Sequence, residues 1–365
     1  MNTNKTIIVG MSGGVDSSVA ALLLKQQGYD VKGLFMQNWQ NDTDEECTSE
    51  IDFKDASAVC DILDIPLHRA NFADEYWDRV FKDFLKEHER GRTPNPDILC
   101  NREIKFKSFL DYSIKIGADL IATGHYANLR TINDHTHLVR AADDNKDQTY
   151  FLHEVKEGEF KKCIFPLANL TKSEVRKIAL DNHLPIAQKK DSVGICFIGE
   201  RNLKDFLNKF INFEKGLIKD EYGNNIGEHQ GSILYTEGQR QGLNIGGVRG
   251  KDELPWYVYK KDIQNNVIYV CQGVNNKLLM NSALHLDNIN FINNIDYKYP
   301  LSTSIQVRHQ HKPINCIVSK NNDGFFVEFD SKIRAVAPGQ SAVFYNKDIC
   351  LGGGGYKPKL YNNLI

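Results

Sequence analysis

No stretch of this chain approaches the roughly 18 consecutive apolar residues that a membrane-crossing helix requires, and a helical membrane protein is excluded on that ground. Cysteine is present but unpaired in the sequence. The eight residues, at 47, 60, 100, 163, 196, 271, 316 and 350, contain no CxxC and none lies at zinc-finger spacing from histidine. A structural zinc or an iron–sulfur cluster is therefore not expected, and most of these thiols should pack as small hydrophobes in a reducing compartment. A strong net charge is lacking too, with 45 Lys and Arg against 47 Asp and Glu. Its distribution is uneven. Residues 300–365 carry eight Lys or Arg and four Asp or Glu, whereas 41–55 carry seven acids and one lysine. The basic end suits a polyanion partner and equally a solvated face. The opening MNTNKTIIVG enters an apolar run at once, leaving no room for a secretory or transit peptide, so a cytoplasmic protein is expected.

A chain of 365 residues exceeds one ordinary core and predicts two or three domains. Up to about Leu184, apolar runs (6–10, 31–36, 67–72, 119–123) alternate with helical periods (16–27, 51–64, 75–89, 102–116). That alternation predicts an α/β fold, a parallel sheet with helices on both faces. Thr171-Lys-Ser-Glu174 reads as a capping box opening a helix to about His183, and Leu203 to Phe210 as a further short helix. The aromatic stretch 75–81 reads as the apolar face of a helix, and the acidic stretch 41–55 as a loop or solvated face. Beyond about Lys215 short alternating runs are separated by turn signals such as EYGNN and KNNDG, which predicts two small all-β modules meeting near Asn281. The expected divisions are 1–200, 201–280 and 281–365.

The run IIVGMSGGVDSS (7–18) is strand, glycine loop and helix start. Gly13 and Gly14 permit backbone N–H groups to converge on an anion beside the positive end of the next helix. Ser12, Ser17 and Ser18 add hydroxyls. Neither GxxxxGK[ST] nor GxGxxG is present. Without the Walker lysine the nest suits a pyrophosphate left when ATP is cleaved between its α- and β-phosphates.

Two cysteines stand in polar, conformationally restricted loops. In GRTPNPDILCN (91–101) two prolines stiffen the chain before Asp97 and Cys100, just ahead of a helix expected from Arg102. A helix N-terminus raises the thiolate fraction of a cysteine, and the aspartate suits acid/base work. The alternative is an N-cap Asp and a packed Cys. In KKDSVGICFIG (189–199) two lysines precede Cys196, a cationic setting for a thiolate, against the reading of a small core residue between Ile195 and Phe197. Two reactive thiols on separate loops permit a sulfur relay, one carrying a persulfide and the other resolving it.

SGGVDS (12–17) resembles the signature of the pyrophosphate-loop ATP-binding superfamily. Together with TPNPDILCNREIKF (93–106), ATGHYA (122–127), KDQTYFL (146–152), KDSVGICFIGE (190–200), GQRQGLNIGG (238–247) and APGQSAVFY (337–345), the whole chain resembles the bacterial tRNA-specific 2-thiouridylase family. The resemblance implies an adenine-nucleotide alpha-hydrolase-like fold, a last module that is a tRNA-binding β-barrel, and adenylation of the C2 oxygen of the wobble uridine followed by attack of a persulfide. It implies ATP with Mg2+, no protein-bound metal cluster, tRNA and a persulfide relay protein as partners, no membrane, and a monomer. Residue by residue, it implies Cys196 as persulfide carrier, Cys100 as nucleophile and Asp97 as acid/base. ATP falls to Gly10, Met11, Ser12, Gly13, Gly14, Val15, Asp16, Ser17, Met36 and Gly124, and the target base to Asn95, Pro96 and Asp97. Contacts to tRNA fall to His125, Lys146, Asp147, Gln148, Arg308, His309 and Gln340. His309 departs from the family pattern, which carries Tyr there.

Three other readings are weighed. A nitrogen-inserting ligase of the same superfamily has no need of Cys100 and Cys196. A nucleotide-dependent RNA-binding protein without chemistry tolerates replacement of both. A thiolase with an iron–sulfur cluster wants the CxxC that is missing. His125, just after a buried strand, is read as a site residue, with a satisfied structural histidine as the alternative.

Overall fold

The computed structural model describes residues 4–39, 48–191, 202–246, 254–309 and 311–356. Five strands form the first sheet: β1 (Thr6–Met11), β2 (Asp30–Gln37), β3 (Leu67–Asn71), β4 (Leu120–Ala122) and, after the hairpin β5 (Asn128–Ile132) and β6 (His135–Val139), β7 (Cys163–Ile164). Their order is β3-β2-β1-β4-β7 and the pairings are parallel. A strand alternates its side chains between faces, and β1 shows the result: Ile7 and Val9 enter one core, Ile8 the other. Helices Val15–Gln26 and Lys172–Asp181 cover the first face, and helical runs over 73–89 and 96–115 cover the second. Buried on both sides, β1 is an almost unbroken apolar run, as parallel strands are. The order reverses between β1 and β4, so the carboxyl ends of these two strands open the crevice where α/β sheets bind ligands.

Four strands, β8 (Gly216–Lys219), β9 (Asn225–His229), β10 (Trp256–Asp262) and β11 (Val267–Gln272), make a small sheet around Ile218, Val258, Ile268 and Val270. The last module comprises β12 (Met280–Leu286), β13 (Asn290–Phe291), β14 (Leu301–Gln306), β15 (Ile314–Asn321), β16 (Gly324–Arg334), β17 (Ser341–Asn346) and β18 (Ile349–Gly355), all antiparallel. A bridge between Leu286 and Tyr356 joins its two ends, so that β12-β16-β15-β14-β17-β18 returns upon itself as a barrel.

Four expectations are corrected. The helix expected from Arg102 starts at Pro96, because Asn95 caps it and proline fits the first helical position. Residues 48–55 of the acidic stretch open the helix Thr48–Ile62, three residues earlier than the helical period expected from 51, whereas 41–47 lie outside the described residues. The helix expected over 203–210 is Leu203–Leu207. Finally, β5 and β6, from the region expected to be purely α/β, extend the barrel's sheet through β18, with Ile349 opposite Val139 and Cys350 opposite Leu138.

Candidate active site

The phosphate loop leaves β1 at Met11. Gly13 has φ +71°, and a Cβ there would lie 2.3 Å from the Asp52 carbonyl oxygen, so glycine is required by both conformation and space. Gly14 starts the helix Val15–Gln26 with no side-chain cap, which leaves first-turn N–H groups for an anion. The hydroxyls of Ser17 and Ser18 donate to the Gly14 carbonyl at 3.1 and 2.8 Å, and the Ser12 N–H donates to Ser17 Oγ at 3.2 Å. Across the switch point, Gly124 rests on the same helix: its Cβ would be 2.6 Å from Ser17 N. Met36, near the end of β2, comes within 3.2 Å of the Cβ position of Gly10. Met36 thus lies against Gly10 and Gly124 against Ser17, so these expected residues are neighbours, packed closely enough that a Cβ at Gly10, Gly13 or Gly124 would crowd other protein atoms.

Charged groups from distant segments converge on this loop. Lys172 Nζ donates to Asp16 Oδ1 at 2.7 Å and pairs with Asp191 at 2.8 Å. Tyr126 donates to the same Asp16 at 2.8 Å. Asp191 also receives Lys146 and Arg176, each at 2.7 Å. Burial opposes its ionisation, but hydrogen bonds from Lys146 and Lys172 outweigh it and hold the carboxyl down at about 2. Lys189 Nζ donates to the Gly13 carbonyl at 3.0 Å and to Asp52 and Asp55. Sequence reading missed Lys172, Asp191 and Tyr126 as site residues. Their only signals were membership of the capping box and of the motifs KDSVGICFIGE and ATGHYA.

The helical run 96–115 carries Asp97 and Cys100. The Asn95 side chain accepts from the Asp97 N–H at 3.1 Å, so Asn95, not Asp97, is the cap. Cys100 is 4% exposed and opens the π-helical segment Cys100–Ser108, a distortion common at functional sites. Burial raises the Asp97 pKa above the usual carboxylate range, while the charges of Lys105 and His309 pull it back. The loop before Asp97 is held by the rest of the molecule. Thr93 N–H donates to the Pro338 carbonyl at 2.8 Å, its carbonyl accepts from Gln340 Nε2 at 2.7 Å, and its hydroxyl meets Thr236 at 3.0 Å.

The remaining predicted residues lie mostly between the catalytic sheet and the barrel. His125 is buried, its Nδ1 2.7 Å from Thr123 Oγ1, and burial pushes its pKa well below the ordinary value. Gln148 Oε1 accepts from the Tyr126 N–H at 2.9 Å. Asp147 is buried and bound by Arg140 at 2.8 Å, by the Ala141 N–H and by Thr149. Arg140 also reaches Gln306 at 2.9 Å and lies over the Tyr345 ring, 3.8 Å from its centre. His309 Nε2 meets the Asp147 carbonyl at 3.0 Å, and its ring lies tilted by 44° against that of Phe151, 4.4 Å between centres. Arg308 is half-buried beside it. A cleft of about 680 Å³ opens here, lined by Arg140, Asp147, Gln306, His309, His311 and Lys312. Cys196 lies outside the described residues. Among the described residues no group of three His, Cys, Asp or Glu could hold a metal ion, and no helix is long and apolar enough to cross a membrane.

Family models match along the chain: a tRNA methyl transferase HUP domain over 5–200, a tRNA methyl transferase PRC-barrel domain over 204–272 and an aminomethyltransferase beta-barrel domain over 281–355. The tRNA-specific 2-thiouridylases MnmA of Francisella tularensis subsp. novicida and of Francisella philomiragia are each 53% identical over 354 residues, 96% of this chain and 99% of theirs. The U34-tRNA thiolase NcsA from Methanococcus maripaludis, a solved structure, aligns at 21% identity over 57% of this chain and 64% of its own, with a TM-score of 0.35, too distant to bear on assignment. On the near-complete match to the Francisella enzymes, the chain belongs to the MnmA family of tRNA-specific 2-thiouridylases.

Proposed function

We propose that this protein catalyses ATP-dependent 2-thiolation of the wobble uridine, position 34, of tRNA. The observation that supports the reading is the packing of Phe109, on the helical run that carries Asp97 and Cys100, 3.5 Å from the Cβ position of Gly10 at the start of the glycine loop. Uracil C2 is a poor electrophile and oxide a poor leaving group. The C2 oxygen attacks the α-phosphorus of ATP, the bond to pyrophosphate breaks with its electron pair, and the N3 proton passes to a base. Asp97, whose pKa burial has raised, suits that role. The terminal sulfur of a Cys196 persulfide then adds to C2 and AMP leaves. Thiolate from Cys100 attacks Cys196 Sγ, the S–S bond breaks, and 2-thiouridine departs, leaving a Cys100–Cys196 disulfide for an external dithiol to reduce.

The cradle fits a nucleotide's phosphates. Mg2+ would arrive with them and offset their charge. The cleft that carries Arg140, His309, His311 and Lys312, with Arg308 and Lys146–Gln148 as further contacts, is assigned to the RNA backbone, and Asn95–Asp97 to an unstacked base. A persulfide-bearing relay protein as donor, a monomeric cytoplasmic enzyme, no resident cluster, and domain limits at 1–200, 201–280 and 281–365 complete the proposal.

Nucleoside mass spectrometry on unmodified tRNA incubated with the protein, Mg-ATP and a sulfur source tests it, with Cys100→Ser and Cys196→Ser alongside. Sulfur-for-oxygen exchange in wild type, lost in both variants, is expected. ATP conversion to AMP without sulfur gain would leave only an adenylating enzyme of the same superfamily.

A further inference from the structure

The mechanism above assigns nothing to Lys105, yet its position is unusual. Each of Lys146, Lys172, Arg176 and Lys189 is neutralised by a carboxylate within 3 Å. Lys105 is half-buried and, among the described residues, has no carboxylate within ion-pair distance. Its ammonium lies 3.5 Å from His125 Nε2. The lysine can only donate, so His125 accepts at Nε2 and donates from Nδ1 to Thr123 Oγ1. That buried, neutral imidazole occupies one of the three ammonium protons and leaves two available.

The surroundings bracket one point. Lys105 follows Cys100 by five residues in a π-helical segment, whose i→i+5 bonding sets the two one turn apart. One further turn along, Phe109 packs 3.5–3.6 Å from the Cβ position of Gly10 at the nucleotide cradle. His125 follows Gly124, which rests on Asp16 and Ser17. The charge of Lys105 is felt by Asp97, at the target-base end. Lys105 therefore lies on the helical run that packs against Gly10 at one end and carries Asp97 at the other.

We propose that Lys105 contacts the α-phosphoryl group as the uridine C2 oxygen bonds to it, and stays beside that phosphate while sulfur displaces AMP. The inference rests on the thiolation reading above. As the C2 oxygen adds and the bond to pyrophosphate breaks, charge accumulates on the non-bridging oxygens, and a fixed donor in a half-buried site stabilises it more there than in the bound ATP.

The test is single-turnover release of pyrophosphate and formation of 2-thiouridine in wild type, Lys105→Met and Lys105→Gln, with equilibrium binding of α,β-methylene-ATP and of tRNA measured separately. Wild type must form 2-thiouridine, otherwise the thiolation reading itself fails. The expected result is pyrophosphate release slowed roughly 100-fold, with both binding constants within about threefold of wild type. The rate's acid limb should also move to higher pH in both variants. Asp97 is faced by Lys105 from its own helical run and by His309 from the barrel, and loss of one cation raises its pKa. Pyrophosphate release within about threefold of wild type overturns the proposal. So does an equal loss in binding and rate with an unmoved acid limb, the mark of a lysine that only supports the fold. Lys105→Gln keeps a donor without the charge and decides between these outcomes if Lys105→Met does not fold.

Discussion

Gly13 shows how little freedom the phosphate loop has. Its φ of +71° is a left-handed value that costs a non-glycine residue roughly 1–2 kcal/mol, and a methyl would press on the backbone of Asp52. Gly13→Ala should therefore lower the melting temperature and weaken ATP binding at least tenfold, measured by calorimetry, without changing affinity for tRNA. An unchanged nucleotide affinity would mean that the loop is not the phosphate cradle. This glycine was legible in the sequence, because a strand, two glycines and a helix start leave few other readings. Lys172 and Asp191 were not. Lys172 reaches Asp16 from a segment 156 residues downstream and Asp191 joins it there through Lys172, and no local pattern records where a long side chain ends.

At the scale of elements, caps decided where the helices lie. The capping box at Thr171 is present, with Thr171 and Glu174 each accepting from the other's N–H. It sets the helix that carries Lys172 to the phosphate loop. Thr171→Ala should cost about 1 kcal/mol, readable as a lower urea midpoint with an unchanged slope. The Asn95–Pro96 start was available in the sequence as well, but the apolar periodicity before Arg102 is too weak to extend the helix back to it. The hairpin β5–β6 carried a turn signal, Asn133-Asp134, both with positive φ. What no sequence pattern displayed was its partner, since β18 lies about 210 residues further on.

Polar links tie the catalytic part to the barrel at several points, among them Arg130 to Asp348, Tyr150 to the Ser341 carbonyl and Gln340 to the Thr93 carbonyl. Arg140 joins Asp147 of the catalytic part to Gln306 of the barrel. Arg140→Ala leaves a buried carboxylate without its cation, a loss of about 3 kcal/mol, and should raise the Kd for tRNA about tenfold while leaving ATP affinity alone. Asp147→Asn in the same chain should restore part of the stability, a double-mutant cycle by denaturant unfolding. Acid acts on the whole fold too. His88, His125 and His153 are buried, and burial lowers all three pKa values, His88 to about 4. The unfolded chain binds protons near pH 6.5 where the folded one does not. Their contribution is present above pH 6.5 and is lost as pH falls through their lowered folded values, about 4 for His88, so unfolding free energy should decline between pH 7 and 5. A flat profile would show that other groups compensate.

The hairpin shared with the barrel also sets a timetable. Residues 128–139 leave the ribosome before β18 at 349–355 has been made. At roughly 5–20 residues per second the wait is on the order of 10–40 s. For that time β6 presents an open strand edge, the kind of surface that recruits other nascent chains. A chain released early, after the central module, would keep that edge exposed, so truncated products of this protein should be chaperone clients rather than working smaller enzymes.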